Sequence, residues 1–504
     1  MYGVSLTSYL DFVVDDLLRA DFSQPTQVTD YDTTWAARLT NEDGSLAYPS
    51  SLEKLREHQH SDGSWGGKIS YVHDRLLSTL AVVLLLSRFG RRNHDEEQRL
   101  AGERYIWQHA GQLHHDAHRT IAFEMLLPSL LAEGRNQGLD LPYAQLSRYE
   151  DYRAKKLKLL PTQRLFKTRT SALFSLEAFE GHVELEGASD LLLEDGSMAS
   201  SPSATAFLLG QTPDWRSRYP KSTAYLEDLL KRRGGGLPAV APCDTFTRSF
   251  TLYYLYHGNL LSGRADLLES HYEYLLRGWQ PEGFSWAPGT IPNSDDTATA
   301  LLALQRAGYE VDGTCLLAYE RDEHFAVLEH EMDPSISANL HILEALETLP
   351  ERERPRVRDK ILGYILRARQ YGSYWSDKWH ASVYYPTSIA LMVLPSYVRD
   401  EMEETVRWLL FTQHANGTWG QYMPTREETA LTLLALLRYH RTVRPLPHEP
   451  LRLAAEYLLA TVYLSVDSDP ELWISKALYT PPWVVRSAIL AALGLYSDTF
   501  GDIG

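Results

Sequence analysis

The sequence predicts an all-α protein built from one or two α/α toroids, and three observations carry that reading. Strand signals are scarce. Apolar residues recur at three- and four-residue spacing, as in "RLLSTLAVVLLLSRF", "ETALTLLALLRYH" and "VVRSAILAALGLY". A short turn phrase returns ahead of new helical runs: "QHSDGSWGG" from Gln59, "LEDGSMASSPSATA" from Leu193, "QPEGFSWAPGT" from Gln280 and "QHANGTWGQY" from Gln413. A recurring turn before a helix marks stacked helix pairs, with Asp-Gly or Asn-Gly making the turn and Trp closing over the helix end. Trp65, Trp286 and Trp419 are therefore expected to staple helices rather than touch a ligand.

At 504 residues the chain exceeds one ordinary core, so two domains are expected. The loop "KRRGGGLPAV" from Lys231 suggests a boundary nearby, and the absence of a low-complexity linker predicts closely packed halves. The composition, 44% hydrophobic and 23% charged, fits large buried volumes without extended disorder. A net charge of −17 excludes a general nucleic-acid binder, so any anionic ligand must be held by a local basic patch. The segment Arg153–Thr170, "RAKKLKLLPTQRLFKTRT", with seven basic residues, is the candidate. Cys243 and Cys315 are too few and too far apart for a disulfide framework or a cysteine-rich zinc site. No basic leader and no run of about twenty apolar residues appears, which predicts a cytoplasmic protein without stable membrane insertion. A homodimer is left open.

The stretch "TIPNSDDTATALLAL" sets Asp295 beside Asp296 just before an apolar helical run. Three readings compete. An acidic residue there caps the helix near Thr297, as such residues usually do. Alternatively, the pair binds a divalent metal and through it a diphosphate. In the third, one carboxyl is kept protonated and gives its proton to a substrate.

The surrounding segments resemble the class II terpene cyclases, specifically the bacterial copalyl diphosphate synthase-like diterpene cyclases. The likeness runs through "YDTTWAARL" from Tyr31, "HDRLLSTLA" from His73, "IAFEMLLPSLLAEG" from Ile121, "SISANLHIL" from Ser335, "SDKWHASVYY" from Ser376 and "LWISKALYTPPWVVRSAIL" from Leu472. It implies two α/α toroid domains of the βγ type: an inserted one over roughly 21–255, and a second made of 1–20 plus 256–504 that carries the acid, with the active site between them. The family motif is Asp-x-Asp-Asp-Thr-Ala, whose middle Asp is the general acid. That role falls on Asp295, with Asp296 as partner and Asn339 as donor to the departing carboxylate; Asn293 replaces the first Asp. An alkene is a poor base, so its protonation needs a neutral carboxyl in a dry pocket, and burial beside a second carboxylate favours the protonated form.

The resemblance further implies a prenyl diphosphate substrate, with Lys156 or Lys158 on the diphosphate. Magnesium use is also implied, although of the plant acidic motif only Asp116 and Glu124 survive. The abundant aromatics suit a pocket that stabilises a carbocation, with Trp375, Trp379, Tyr384 and Tyr385 as its wall. The plant His/Asn dyad that handles the final proton is replaced by Phe174 and Gly234, which predicts a product other than simple ent-copalyl diphosphate. No Asp-Asp-x-x-Asp motif and no third helical domain appears, so the diphosphate is expected to survive. Geranylgeranyl diphosphate is the expected substrate; the alternatives are farnesyl diphosphate, giving a drimenyl-type product, or a non-catalytic isoprenoid-binding helical protein.

Overall fold

The computed structural model describes residues 6–502 apart from 25, 160–164, 329–330 and 332. Its strands are two-residue fragments: Val28–Thr29 pairs antiparallel with Leu237–Pro238, and Trp473–Ile474 with Leu478–Tyr479. Everything else that is regular is helical, and among the described residues no helix is long and apolar enough to cross a membrane.

One staple repeats through the described residues and explains the recurring phrase. A turn residue's N–H donates to a hydroxyl one turn, or for Thr79 two turns, into the next helix: Trp65 to Thr79 at 2.9 Å, Met198 to Thr205 at 2.8 Å, Phe284 to Thr297 at 2.9 Å, Trp375 to Thr387 at 3.1 Å and Trp419 to Thr429 at 3.0 Å. A sixth copy uses an amide, with Phe325 N–H donating to Asn339 Oδ1 at 2.9 Å. In four copies the same side chain also donates to the carbonyl four residues back, that of Ser201, Asn293, Ser335 or Thr425. Where the turn residue is Trp65, Trp375 or Trp419, its indole N–H closes onto the carbonyl ten residues earlier, at 2.6–2.7 Å. Gly283 shows how tight the turn is. It sits at φ +116°, and a Cβ there would lie 2.3 Å from Thr297 Oγ1.

Two expectations are corrected. Trp286 is not a staple, because Phe284 holds that position and Trp286 packs edge-on against Phe174 at 6.1 Å. Trp375 is one, with its ring fully buried under its own turn.

The helix Leu6–Arg19 packs on Pro482–Phe500, so the start of the chain joins its end. The helix Asp244–His257 packs on Ser294–Arg306 and Pro482–Phe500, placing it with the second half although the sequence-predicted boundary at 255 assigned it to the first. The halves meet in a seam where Gln27 N–H donates to Thr480 O at 3.3 Å and Ile121 N–H to Ser475 O at 2.8 Å. A small apolar cluster of Ile69, Tyr71, Ala381, Leu472, Ile474 and Leu478 packs there. Lys476 crosses the seam fully buried: its ammonium donates to Phe174 O at 2.8 Å, Glu177 Oε1 at 2.8 Å, Ser201 Oγ at 2.7 Å and Ser203 Oγ. Asp32 Oδ1 lies 4.0 Å from the same ammonium, and burial pushes that carboxyl up to about 6 against the pull of Lys476.

Candidate active site

The helix Ser294–Arg306 begins under the cap of Asn293, whose Oδ1 accepts from the N–H groups of Asp295 (3.0 Å) and Asp296 (2.9 Å). Neither carboxylate is the cap. Asn293 Nδ2–H donates to Asp296 Oδ2 at 2.5 Å, so one amide both closes the helix and holds the second carboxyl. A carboxylate at position 293 would accept as well but could not donate.

The first Asp points elsewhere. Asp295 Oδ1 lies 2.6 Å from Nδ1 of His341, a fully buried side chain on the helix Ile336–Glu344, flanked by the rings of Tyr253 at 5.0 Å and Phe250 at 5.5 Å. The contact fixes Oδ1 against the imidazole, and the carboxyl stands in the first turn of its helix. Asp296 is buried deeper. Burial pushes its carboxyl up to about 7, Asn293 opposes the shift, Asp295 adds to it and His341 opposes it. Below about pH 7 Asp296 therefore keeps its proton.

Around this pair lies one aromatic cluster. Phe246, Phe250 and Tyr385 surround Trp473 at 5.4, 5.9 and 5.1 Å between ring centres, and His380 stacks on Tyr385 at 4.8 Å. The phenols of Tyr254 and Tyr385 are fully buried. Burial first, then the charges of Glu427 and Asp295 for Tyr254, and of Tyr254 and Asp295 for Tyr385, hold them well above the usual phenol range, so both stay neutral. The hydroxyls of Tyr254 and Tyr385, Asp296 Oδ1, His341 Nε2 and Glu427 Oε2 are buried polar atoms without a hydrogen-bond partner among the described residues. Other buried polar atoms elsewhere in the molecule also lack a described partner; these five lie around one aromatic cluster.

A proton-holding carboxyl pair at a helix start, facing neutral aromatic walls, suits protonation of an apolar substrate. Similarity agrees. A "Type B diterpene cyclase" of Mycobacterium tuberculosis is 31% identical over 507 residues, spanning 96% of this chain and 98% of that protein. The chain belongs to the class II diterpene cyclases. An "Ent-copalyl diphosphate synthase" of a Streptomyces species is 31% identical over 461 residues, covering 88% of the cyclase and 87% of that protein. The solved "ent-Copalyl diphosphate synthase from Streptomyces platensis" superposes with a TM-score of 0.81 at 28% identity, over 97% of the cyclase and 99% of that chain. No protein-family model matches the sequence.

The cyclase places the other expected residues as follows. Asn339, expected beside the acid, spends its amide on Phe325 and Ser335 as the sixth staple. Two residues on a helix turn by about 200°, so the face opposite Asn339 belongs to His341. Lys156 is paired with buried Glu124, which its charge holds low against burial, while Lys158 is exposed. Asp116 Oδ2 accepts from both N–H and Nδ1 of His73 at 2.8 Å. Asp116 and Glu124 are thus committed to other partners and do not fit a magnesium site, and among the described residues no group of three His, Cys, Asp or Glu is arranged to hold a metal.

Tyr384 stacks on Trp408 at 5.3 Å, in a layer separate from the Trp473 cluster that Tyr385 joins. Trp379 has the ammonium of Lys378 4.9 Å over its ring. One face of Phe174 is engaged by Lys476 at 4.7 Å, so that face is not offered to a substrate cation. Gly234 lies exposed in a turn at φ +59°, and a Cβ built there would meet nothing within 4 Å. The sequence reading missed His341, Trp473, Lys476 and Glu427. A charged or imidazole residue inside an otherwise apolar run, as in "NLHIL" and "WISKALY", was the available signal.

Proposed function

We propose that the cyclase protonates the terminal alkene of geranylgeranyl diphosphate from Asp295 and closes it to a bicyclic diterpenyl diphosphate, leaving the diphosphate intact. The observation that carries this reading is the Asp295–His341 contact beside a second carboxyl that keeps its proton to near neutrality. Asp295 Oδ2 gives its proton to the alkene, and the resulting carbocation is attacked by the next double bond along the chain. His341 supports the charge left on Asp295, and the neutral faces of Phe246, Phe250, Tyr254, Tyr385 and Trp473 favour the cation without capturing it.

The active site is assigned to the region between the halves. Arg169, at the end of the basic segment, supports this: its guanidinium donates to Gly289 O at 2.9 Å, in the loop that leads to Asn293. Lys158, Lys167 and Arg169 are accordingly proposed for the diphosphate, with Lys156 released from Glu124 only if substrate competes for it. Neither Phe174 nor Gly234 supplies a base, so a product other than ent-copalyl diphosphate, including a rearranged skeleton, is expected.

The test is incubation of purified protein with geranylgeranyl or farnesyl diphosphate, with and without magnesium, followed by dephosphorylation and mass spectrometry. A bicyclic alcohol with the formula of geranylgeraniol is expected. Turnover of farnesyl diphosphate alone would replace this reading with the drimenyl one, and turnover of neither would end it.

A further inference from the structure

The staple gives repeats a common register, and that register singles out Glu427. Asp295 stands two residues before the staple Thr297; Glu427 stands two residues before the staple Thr429. Their neighbours correspond as well: Asn293 and Thr425 cap the two helices, and Asp296 and Glu428 follow as the second carboxyl. The last repeat thus presents a carboxylate at the register from which the acid acts.

The two ends are linked through the aromatic cluster. Trp473 Nε1–H donates to Glu427 Oε1 at 2.7 Å, the Trp473 ring meets Phe250 at 5.9 Å, Phe250 meets His341 at 5.5 Å, and His341 holds Asp295. His380 Nε2 lies 3.4 Å from the same oxygen, and its Nδ1 lies 3.1 Å from Ser382 N and 3.3 Å from Ser382 O. Both contacts fall on one oxygen. Oε2 is buried and has no partner among the described residues. A carboxylate in the first turn of a helix is ordinary when it faces water, but Glu427 is only 2% exposed. The cation next to it, Arg426, is committed to Asp469 and to the carbonyls of Thr461, Leu464 and Ser465. A buried carboxyl with one oxygen unpaired is costly to keep and calls for an explanation.

We propose that Glu427 is the base that ends the cyclisation, taking the last proton on Oε2. This rests on the function proposed above. In the step, a C–H bond next to the cationic carbon breaks, its electron pair becomes the C=C of the product, and the proton bonds to Oε2. One proton enters from Asp295 and one leaves to Glu427, so the product keeps the formula of the substrate and no further reactant is required.

The test uses the full chain with Glu427→Gln, which keeps an acceptor oxygen for Trp473 but cannot take the proton, and Glu427→Asp, which withdraws the carboxylate by one methylene. Products are profiled after dephosphorylation, and folding is followed by circular dichroism. Glu427→Gln is expected to lose the main product by at least about tenfold, in favour of hydroxylated, water-captured or isomeric compounds, while Glu427→Asp retains part of it. A folded Glu427→Gln with the wild-type product profile overturns the proposal. A folded variant that no longer consumes substrate also overturns it, since that places Glu427 in initiation. Failure of both variants to fold makes the residue structural and has the same consequence. The wild-type arm is read separately: if it turns over neither prenyl diphosphate, the proposed function fails first and this inference goes with it.

Discussion

The turn bearing Asp295 and the turn bearing Glu427 share a backbone and differ in their donors. In the first, Asp296 has a single side-chain donor, Asn293, and burial carries its carboxyl up to about 7. In the second, Glu428 accepts from Ser382 Oγ at 2.5 Å, Gln421 N–H at 2.8 Å and Thr425 Oγ at 2.7 Å, and burial raises it only to about 6. Burial alone does not decide which carboxyl holds a proton. The number of donors aimed at it does, and the same repeat can be furnished to keep a proton or to let one go.

The sharpest way to break the comparison is Asp295→Asn, which leaves the turn's backbone in place and removes the acid. Substrate consumption should fall at least about 10³-fold with the melting temperature unchanged within a few degrees. Residual turnover within tenfold of wild type would remove Asp295 from the mechanism. His341→Phe keeps a ring against Tyr253 and Phe250 but loses the contact with Oδ1. A fall in kcat on the order of 10²-fold is expected, and an unchanged kcat in a folded variant would show that the contact is only packing.

Asn339→Ala separates structure from chemistry. It deletes the staple and leaves buried partners on Phe325 and Ser335 unpaired, so denaturant titration should show a loss of about 1–3 kcal/mol while the pH profile of the remaining folded enzyme stays put. A changed profile at unchanged stability would restore Asn339 to the acid's side. The smallest effect is expected from Asn293→Asp, which replaces a donor to Asp296 with a like charge. Both changes disfavour ionisation, so the alkaline limb of the pH–rate curve should move up by about one unit. The sign for stability follows. A folded carboxyl that keeps its proton to about 7, against about 4 unfolded, contributes stability that is complete below pH 4 and is lost as pH rises through 7. Asn293→Asp should extend that window upward, and a downward shift of either curve would contradict the role given to the amide.

Much of this was legible because it rests on local rules. The turn phrases, the periodic apolar runs and the paired carboxylates before "TATALLAL" point to the helical repeat and to the acid. The staple was only half legible. Its bond uses a backbone N–H, which leaves the side chain free, so Met198, Phe284 and Phe325 stand where the phrase suggests Trp. The choice between Asn339 and His341 turns on helical phase relative to a neighbouring helix, a tertiary quantity that spacing along one strand of text does not contain. Glu427 and Glu428 read as ordinary first-turn acids; what distinguishes them, burial and the contacts supplied by Trp473, His380 and Ser382, comes from segments about fifty residues away or less in sequence but fixed only by packing.

The buried ammonium of Lys476 has a consequence for how the chain folds. Glu177 and Asp32 are sealed in the first half with a cation supplied hundreds of residues later in sequence. Without that segment the two carboxyls lack their shared cation, so the first half completes its interior only with a side chain from the second. The helix Leu6–Arg19 depends likewise on Pro482–Phe500.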